Sequence, residues 1–109
     1  MAIKSGAADA AFAGGADAPL TVGIIWAWES MHGHAMGASG PIEIACSLAA
    51  VRDGFVPPTI NLDTRDPECD LDYVPHQARD AKVSLFLSNS FGFGGMNAVV
   101  AVRTLLPEL

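Results

Sequence analysis

Basic residues are scarce in this chain: six Lys and Arg stand against twelve Asp and Glu, for a formal charge of −6 at neutral pH. With no Lys/Arg cluster, the chain lacks the electrostatic footprint that a phosphate backbone selects, which excludes nucleic acid as a partner. Long apolar runs are missing too. The longest, over residues 20–28, is too short to span a bilayer, and the N-terminus carries one lysine without the apolar core or cleavage pattern of a signal peptide. A cytoplasmic protein with no membrane partner is expected. Cysteine is limited to Cys46 and Cys69, which have neither metal-ligand spacing nor the density of a disulfide scaffold, so both are expected as free thiols with no metal bound. Ala45-Cys46-Ser47 superficially resembles a nucleophile elbow, but it lies inside a helical pattern, where cysteine packs as a small hydrophobe. Repeats, low-complexity linkers and internal domain boundaries are also absent.

What is present is a short and apolar chain. Half of its 109 residues are hydrophobic. A chain of this size forms at most one domain and buries only about two-thirds of its unfolded surface, so some apolar surface is left to seek a partner. That points to a fragment or an oligomer.

Ala2-Ile3-Lys4 and Ala10-Ala11-Phe12-Ala13 are compatible with a helix ending at Gly14-Gly15. The β-branched and aromatic run over 20–28 reads as a buried strand that delivers residues 29–34 to its C-terminal end. Gly40-Pro41-Ile42-Glu43 combines a permissible cap, a proline at the first helical position and an acidic residue at the third. The spacing predicts a helix over 41–52, with Ile44, Leu48 and Val51 beside Ala45 and Ala49 as its apolar face, stopped by Asp53-Gly54 and Pro57-Pro58. The acidic stretch 59–79 has no sustained period and reads as a surface connection; it lacks the calcium-loop spacing of an EF-hand. Residues 83–88 and 98–102 read as two strands of an antiparallel pair joined by a glycine-rich loop.

Two turns carry residues suited to chemistry. In Met31-His32-Gly33-His34-Ala35-Met36-Gly37-Ala38-Ser39-Gly40, His34 lies between a strand end and a helix start, where positive dipole ends favour a neutral ring able to donate one hydrogen bond to a carbonyl. Taken alone, it reads as a structural histidine before a catalytic one. In Asn89-Ser90-Phe91-Gly92-Phe93-Gly94-Gly95-Met96-Asn97, glycines allow backbone N–H groups to approach a ligand, the way an oxyanion hole is built. The alternative is a hairpin whose phenylalanines plug the core. His32 and His34 with Glu29 and Glu43 do not have the spacing of a zinc site.

The order and spacing of His-Gly-His-Ala-Met-Gly-Ala-Ser-Gly-Pro-Ile-Glu, Arg-Asp-Gly-Phe-Val-Pro-Pro-Thr-Ile-Asn-Leu-Asp, Cys-Asp-Leu-Asp-Tyr-Val-Pro-His and Ser-Asn-Ser-Phe-Gly-Phe-Gly-Gly-Met-Asn resemble the C-terminal end of the β-ketoacyl-acyl-carrier-protein synthases, the thiolase-like condensing enzymes of fatty-acid and polyketide synthesis. The resemblance covers 30–102. It implies an α/β fold, the C-terminal part of a mixed sheet covered by helices, with residues 1–109 forming a partial domain. It further implies acyl and malonyl thioesters as substrates, an acyl carrier protein as partner, no cofactor, and association with an N-terminal half or with further copies. By the resemblance, His34 hydrogen-bonds the thioester carbonyl in decarboxylative Claisen condensation, and Phe93 is the gatekeeper whose backbone N–H lines the oxyanion hole, flanked by Gly92, Gly94 and Gly95. Glu43 matches an acidic residue of the polar network behind the histidine, and His76 a non-catalytic histidine of a Val-Pro-His turn.

The departures are specific. Where the family has lysine five residues before the histidine, this chain has Glu29; the Thr position is His32, and Trp26-Ala27-Trp28 replaces Ser-Ser-Thr. Two carboxylates in one partly buried network are expected to raise at least one pKa. Neither cysteine occupies the nucleophile position, and the family's first histidine has no counterpart, so the polypeptide alone is expected not to catalyse condensation. The alternative implied is a non-catalytic, chain-length-factor-like partner of a condensing subunit.

Overall fold

A computed structural model of the chain describes residues 10–14, 25–69 and 71–105. Its largest feature is a four-stranded sheet. Strand β1 (Ala10–Gly14) lies parallel between β2 (Ile25–Trp26) and β5 (Leu85–Gly92), and β5 pairs antiparallel with β6 (Met96–Arg103). The helix expected over Ala10 to Ala13 is therefore a strand. A single helical turn there would have to nucleate alone, at a loss, whereas a position between two strands offers ladder partners on both edges. Ala2-Ile3-Lys4 lies outside the described residues, as do residues 20–24 of the strand expected over 20–28. The remainder of that strand ends at Trp26, because Trp28 takes a helical conformation and opens the four-residue helix α1 (Glu29–His32).

Helix α2 (Ser39–Arg52) packs against β5, β1 and the short strand β3 (Phe55–Val56). It begins two residues earlier than the proline signal predicts, because the 3-10 turn Met36–Ala38 runs straight into it. Pro41 thus occupies the third helical position, where its missing N–H still costs nothing, since the first four N–H groups of a helix have no intrahelical acceptor.

The face that α2 buries also differs from expectation. Ser39, Glu43, Ser47, Ala50 and Val51 are buried, whereas Leu48 is exposed and Ile44 only half-buried. Residues 39, 43, 47 and 51 follow a strict four-residue step, one helical stripe. Two of its polar members, Ser39 and Ser47, point inward onto polar partners. Trp28 Nε1–H, for example, donates to Ser47 Oγ at 2.7 Å.

Below the C-terminal end of α2 lies the apolar core of Val51, Val56, Val74, Val83 and Phe86, with Trp28, Ile44, Ala81 and Val102 packed against it. Strand β3 pairs with β4 (Arg79–Asp80), closing the otherwise irregular, largely exposed stretch 59–79 back onto the core. Val83 belongs to the core but not to β5, which starts at Leu85. The expected antiparallel pair is present and longer than expected, with Gly92 opposite Met96 and a three-residue turn between them. Gly94 and Gly95 in that turn have φ of 82° and 81°, a region closed to most side chains. No helix among the described residues is long and apolar enough to cross a membrane.

Candidate active site

The segment that carries Glu29 and His34 is tied down at both ends. Ala27 N–H donates to Thr59 Oγ1, Ser30 Oγ–H donates to the Ala27 carbonyl, and Ile60 N–H donates to Ser30 Oγ, fastening the start of α1 to the loop after β3. The Gly33 N–H closes α1 on the Glu29 carbonyl, and the glycine's positive φ then turns the chain back. His34 is thereby brought over Glu29, with Nδ1 at 2.6 Å from Glu29 Oε1. Ser39, the first residue of α2, lies 3.2 Å from the same ring nitrogen and accepts the Ala35 N–H at 2.9 Å. The imidazole is half-exposed while Glu29 retains only 16% of its side-chain surface. His32 sits outside this group, its Nδ1–H donating to the Gly33 carbonyl.

One turn into α2, Glu43 is 1% exposed, and neither of its carboxylate oxygens has a partner among the described residues. Burial pushes its pKa from 4.5 to about 7, the nearby Glu29 carboxylate adds to the rise, and His32 and His34 oppose it. The expectation of a raised carboxylate in a two-carboxylate network is met at Glu43.

Glu29, His34, Ser39 and Glu43 share a cleft of about 250 Å³ with Met36, Gly37, Gly40, Pro41 and, from the far end of β5, Ser90 and Phe91. Gly40 eases this meeting: a Cβ at that position would lie 3.3 Å from Ser90 Oγ, close enough that the serine hydroxyl would have to give by a few tenths of an ångström.

The two sequence turns thus meet, but through different residues than expected on the hairpin side. Ser90 and Phe91 line the cleft; Phe93 does not, and stands fully exposed at the tip of the hairpin with Gly94 and Gly95, next to Gly92 at the end of β5. Ser39 and Ser90 were not singled out from the sequence, since a serine beside glycines looks like ordinary turn chemistry; the signal that could have found Ser39 is its distance of five residues from His34 across a helix start. A larger hollow of about 520 Å³ lies on the 59–79 stretch, between Leu62, Arg65, Tyr73 and His76 among others, and none of the candidate catalytic residues lines it. Cys46 and Cys69 are free thiols, and no group of three or more His, Cys, Asp or Glu among the described residues is arranged to hold a metal ion.

The fold is similar to that of solved ketosynthases. The AntDE:AntF assembly, a type II polyketide-synthase acyl-carrier protein in complex with its ketosynthase bound to the hexaketide, is similar to this chain with a TM-score of 0.72 at 37% identity, over 77% of this chain and 20% of that one. The ishigamide ketosynthase/chain length factor is similar at a TM-score of 0.68 and 47% identity, over 73% and 20%. The fold is thus the α/β architecture of the thiolase-like condensing enzymes, in its C-terminal part. Residues 4–63 match the family model "Beta-ketoacyl synthase, C-terminal domain", and the chain belongs to that family. Among curated relatives, 3-oxoacyl-acyl-carrier-protein synthase 2 of Synechocystis sp. is 55% identical over 75 residues, 69% of this chain and 18% of that protein. The chain therefore spans about a fifth of the length of the relatives it matches.

Proposed function

We propose that this chain supplies the C-terminal part of a ketosynthase site, in which an acyl group and a malonyl unit carried as thioesters are joined by decarboxylative Claisen condensation. The observation that carries this reading is the shared cleft, where His34 from the segment before α2 faces Ser90 and Phe91 from the end of β5. In this role His34 polarises the malonyl thioester, and the Phe93 backbone N–H, at the head of the Gly92, Gly94 and Gly95 turn, holds the oxyanion once the hairpin tip is covered. Glu43 and Glu29 support the ring from behind. The whole of residues 1–109 is read as one partial domain, with an acyl carrier protein as the delivering partner, an N-terminal half or further copies as the structural one, and the cytoplasm as its place. A nucleophilic cysteine and the first histidine have to come from outside this chain, because neither cysteine here lines the cleft.

The test is to mix the chain with a polypeptide supplying the N-terminal half of a relative and to measure decarboxylation of malonyl-acyl-carrier protein. Restored turnover that His34→Ala abolishes is the expected result; turnover unchanged by that substitution would overturn the reading. A second reading, a non-catalytic partner comparable to a chain length factor, draws on the similarity to the ishigamide ketosynthase/chain length factor. Binding of the N-terminal half without turnover is its signature.

A further inference from the structure

We infer that Glu29 is a positioning residue that sets the hydrogen-bonding polarity of His34, holding the ring proton on Nδ1 and leaving Nε2 of the neutral imidazole as a proton acceptor. The inference rests on the reading above, in which His34 is the group that meets the thioester.

A neutral imidazole has one N–H and one bare nitrogen, and which is which follows from the hydrogen bond that the first nitrogen makes. Here Nδ1 faces Glu29 Oε1 at 2.6 Å, and a carboxylate oxygen only accepts. The opposite tautomer would set the Nδ1 lone pair against that oxygen, two acceptors at hydrogen-bond distance with no proton between them. Ser39 Oγ, which receives the Ala35 N–H, keeps a hydroxyl proton that a bare Nδ1 would accept, but at 3.2 Å this neutral contact is longer and weaker than the 2.6 Å contact to a carboxylate, so Glu29 decides the balance. The ring's hydrogen bonds to Glu29 and Ser39 both fall on Nδ1, so Nε2 is the atom left to a ligand. A lysine at position 29 could only donate and would force the reverse arrangement, with Nδ1 accepting and Nε2–H pointing outward. A single side chain therefore decides whether the neutral ring offers a proton or takes one. With Glu29 in place, His34 donates to a carbonyl oxygen through Nε2 only as the imidazolium, with the Glu29 carboxylate as its counter-charge.

The test is long-range proton–nitrogen NMR correlation on the intact 109-residue chain with labelled imidazoles, at a pH where the ring is neutral, His34→Asn identifying the signal. The expected result is the Nδ1–H form in the unaltered chain, retained in Glu29→Gln, whose amide oxygen still accepts. In Glu29→Lys the two nitrogens should exchange their shifts. If the lysine variant does not fold, Glu29→Ala takes its place and should move His34 toward the Nε2–H form that free histidine favours in water. His32, bonded to the Gly33 carbonyl, should stay unchanged and acts as an internal control. An Nε2–H ring in the unaltered chain, or the same tautomer in the Glu and Lys forms, would overturn the inference. The measurement involves no turnover, so it can succeed while the complementation assay fails, and the two readings fall separately.

Discussion

Strands β5 and β6 are paired residue for residue from Leu85 opposite Arg103 to Gly92 opposite Met96, yet their chemistry and their burial run in opposite senses. β5 is the buried strand, and past Phe86 it becomes polar, with Ser88 and Asn89 buried and Ser90 at the cleft. β6 is the apolar strand and lies almost entirely in solvent, with Met96 70%, Val99 56% and Val100 46% exposed. Hydropathy alone would assign them the other way round. Place in the sheet decides instead: β5 has a neighbour on each side and α2 above it, while β6 is an edge. Polar groups are carried into the interior of β5 where the strand runs toward the site, and an edge of bare valines is the kind of surface that soluble proteins normally cover or charge.

The contrast is sharpest at Phe86, which is fully buried in the core between α2 and the sheet. Phe86→Ala should cost about 3–5 kcal/mol, most of the stability margin of a small domain, whereas Val100→Ala on β6 should cost less than about 1 kcal/mol. Chemical denaturation of the two variants reads the difference; similar losses would mean that β6 is covered in solution.

The next largest effect concerns the polar interior. Glu43 holds its proton up to about pH 7 in the folded chain and to about 4.5 when unfolded. Between those values the folded state binds more protons than the unfolded one, so stability falls as the pH rises. The contribution is complete below 4.5 and lost by the time the pH passes 7, a change on the order of 3 kcal/mol at most. Glu43→Gln removes the titration. The variant should match the unaltered chain below about pH 4 and exceed it near pH 8, and parallel pH profiles in urea melts would show that Glu43 does not carry its charge in a buried place.

The sequence showed these regions unequally. The hairpin, the body of α2 and its stop at Asp53 and Gly54 were legible, because there the glycine and proline signals act locally and agree with the tertiary context. The strand at Ala10 to Gly14 was not: alanine and glycine have no strand preference, and only β5, more than seventy residues further along, makes that segment a strand. The buried face of α2 was misassigned for a related reason. Ile44 and Leu48 look like a core stripe, but Ser39, Glu43 and Ser47 face inward, Ser47 onto the Trp28 N–H and Ser39 and Glu43 onto the cleft. At the site, His34 and Glu43 stood out by residue type and resemblance, whereas Ser39 and Ser90 depend on an approach of helix to strand that only the fold creates.

The smallest effect on stability falls on the edge itself, and it bears most directly on what β6 is for. Val99 and Val100 point to opposite sides of β6 and are both half-exposed or more, so replacing them together by threonine keeps the β-branched shape while adding hydroxyls that water can satisfy. Stability should change by no more than about 0.5 kcal/mol, as for other surface substitutions. The apolar surface open to solvent should nevertheless shrink, lowering hydrophobic-dye fluorescence and self-association measured by light scattering. A loss of stability comparable to that of a core substitution would mean that the edge is packed when the chain is alone. Unchanged dye binding would place the exposed apolar surface elsewhere, with Phe93, Leu105, Met36 and Met96 as the most exposed apolar side chains left. The two strands of one hairpin would then differ in burial without differing in their need for a partner.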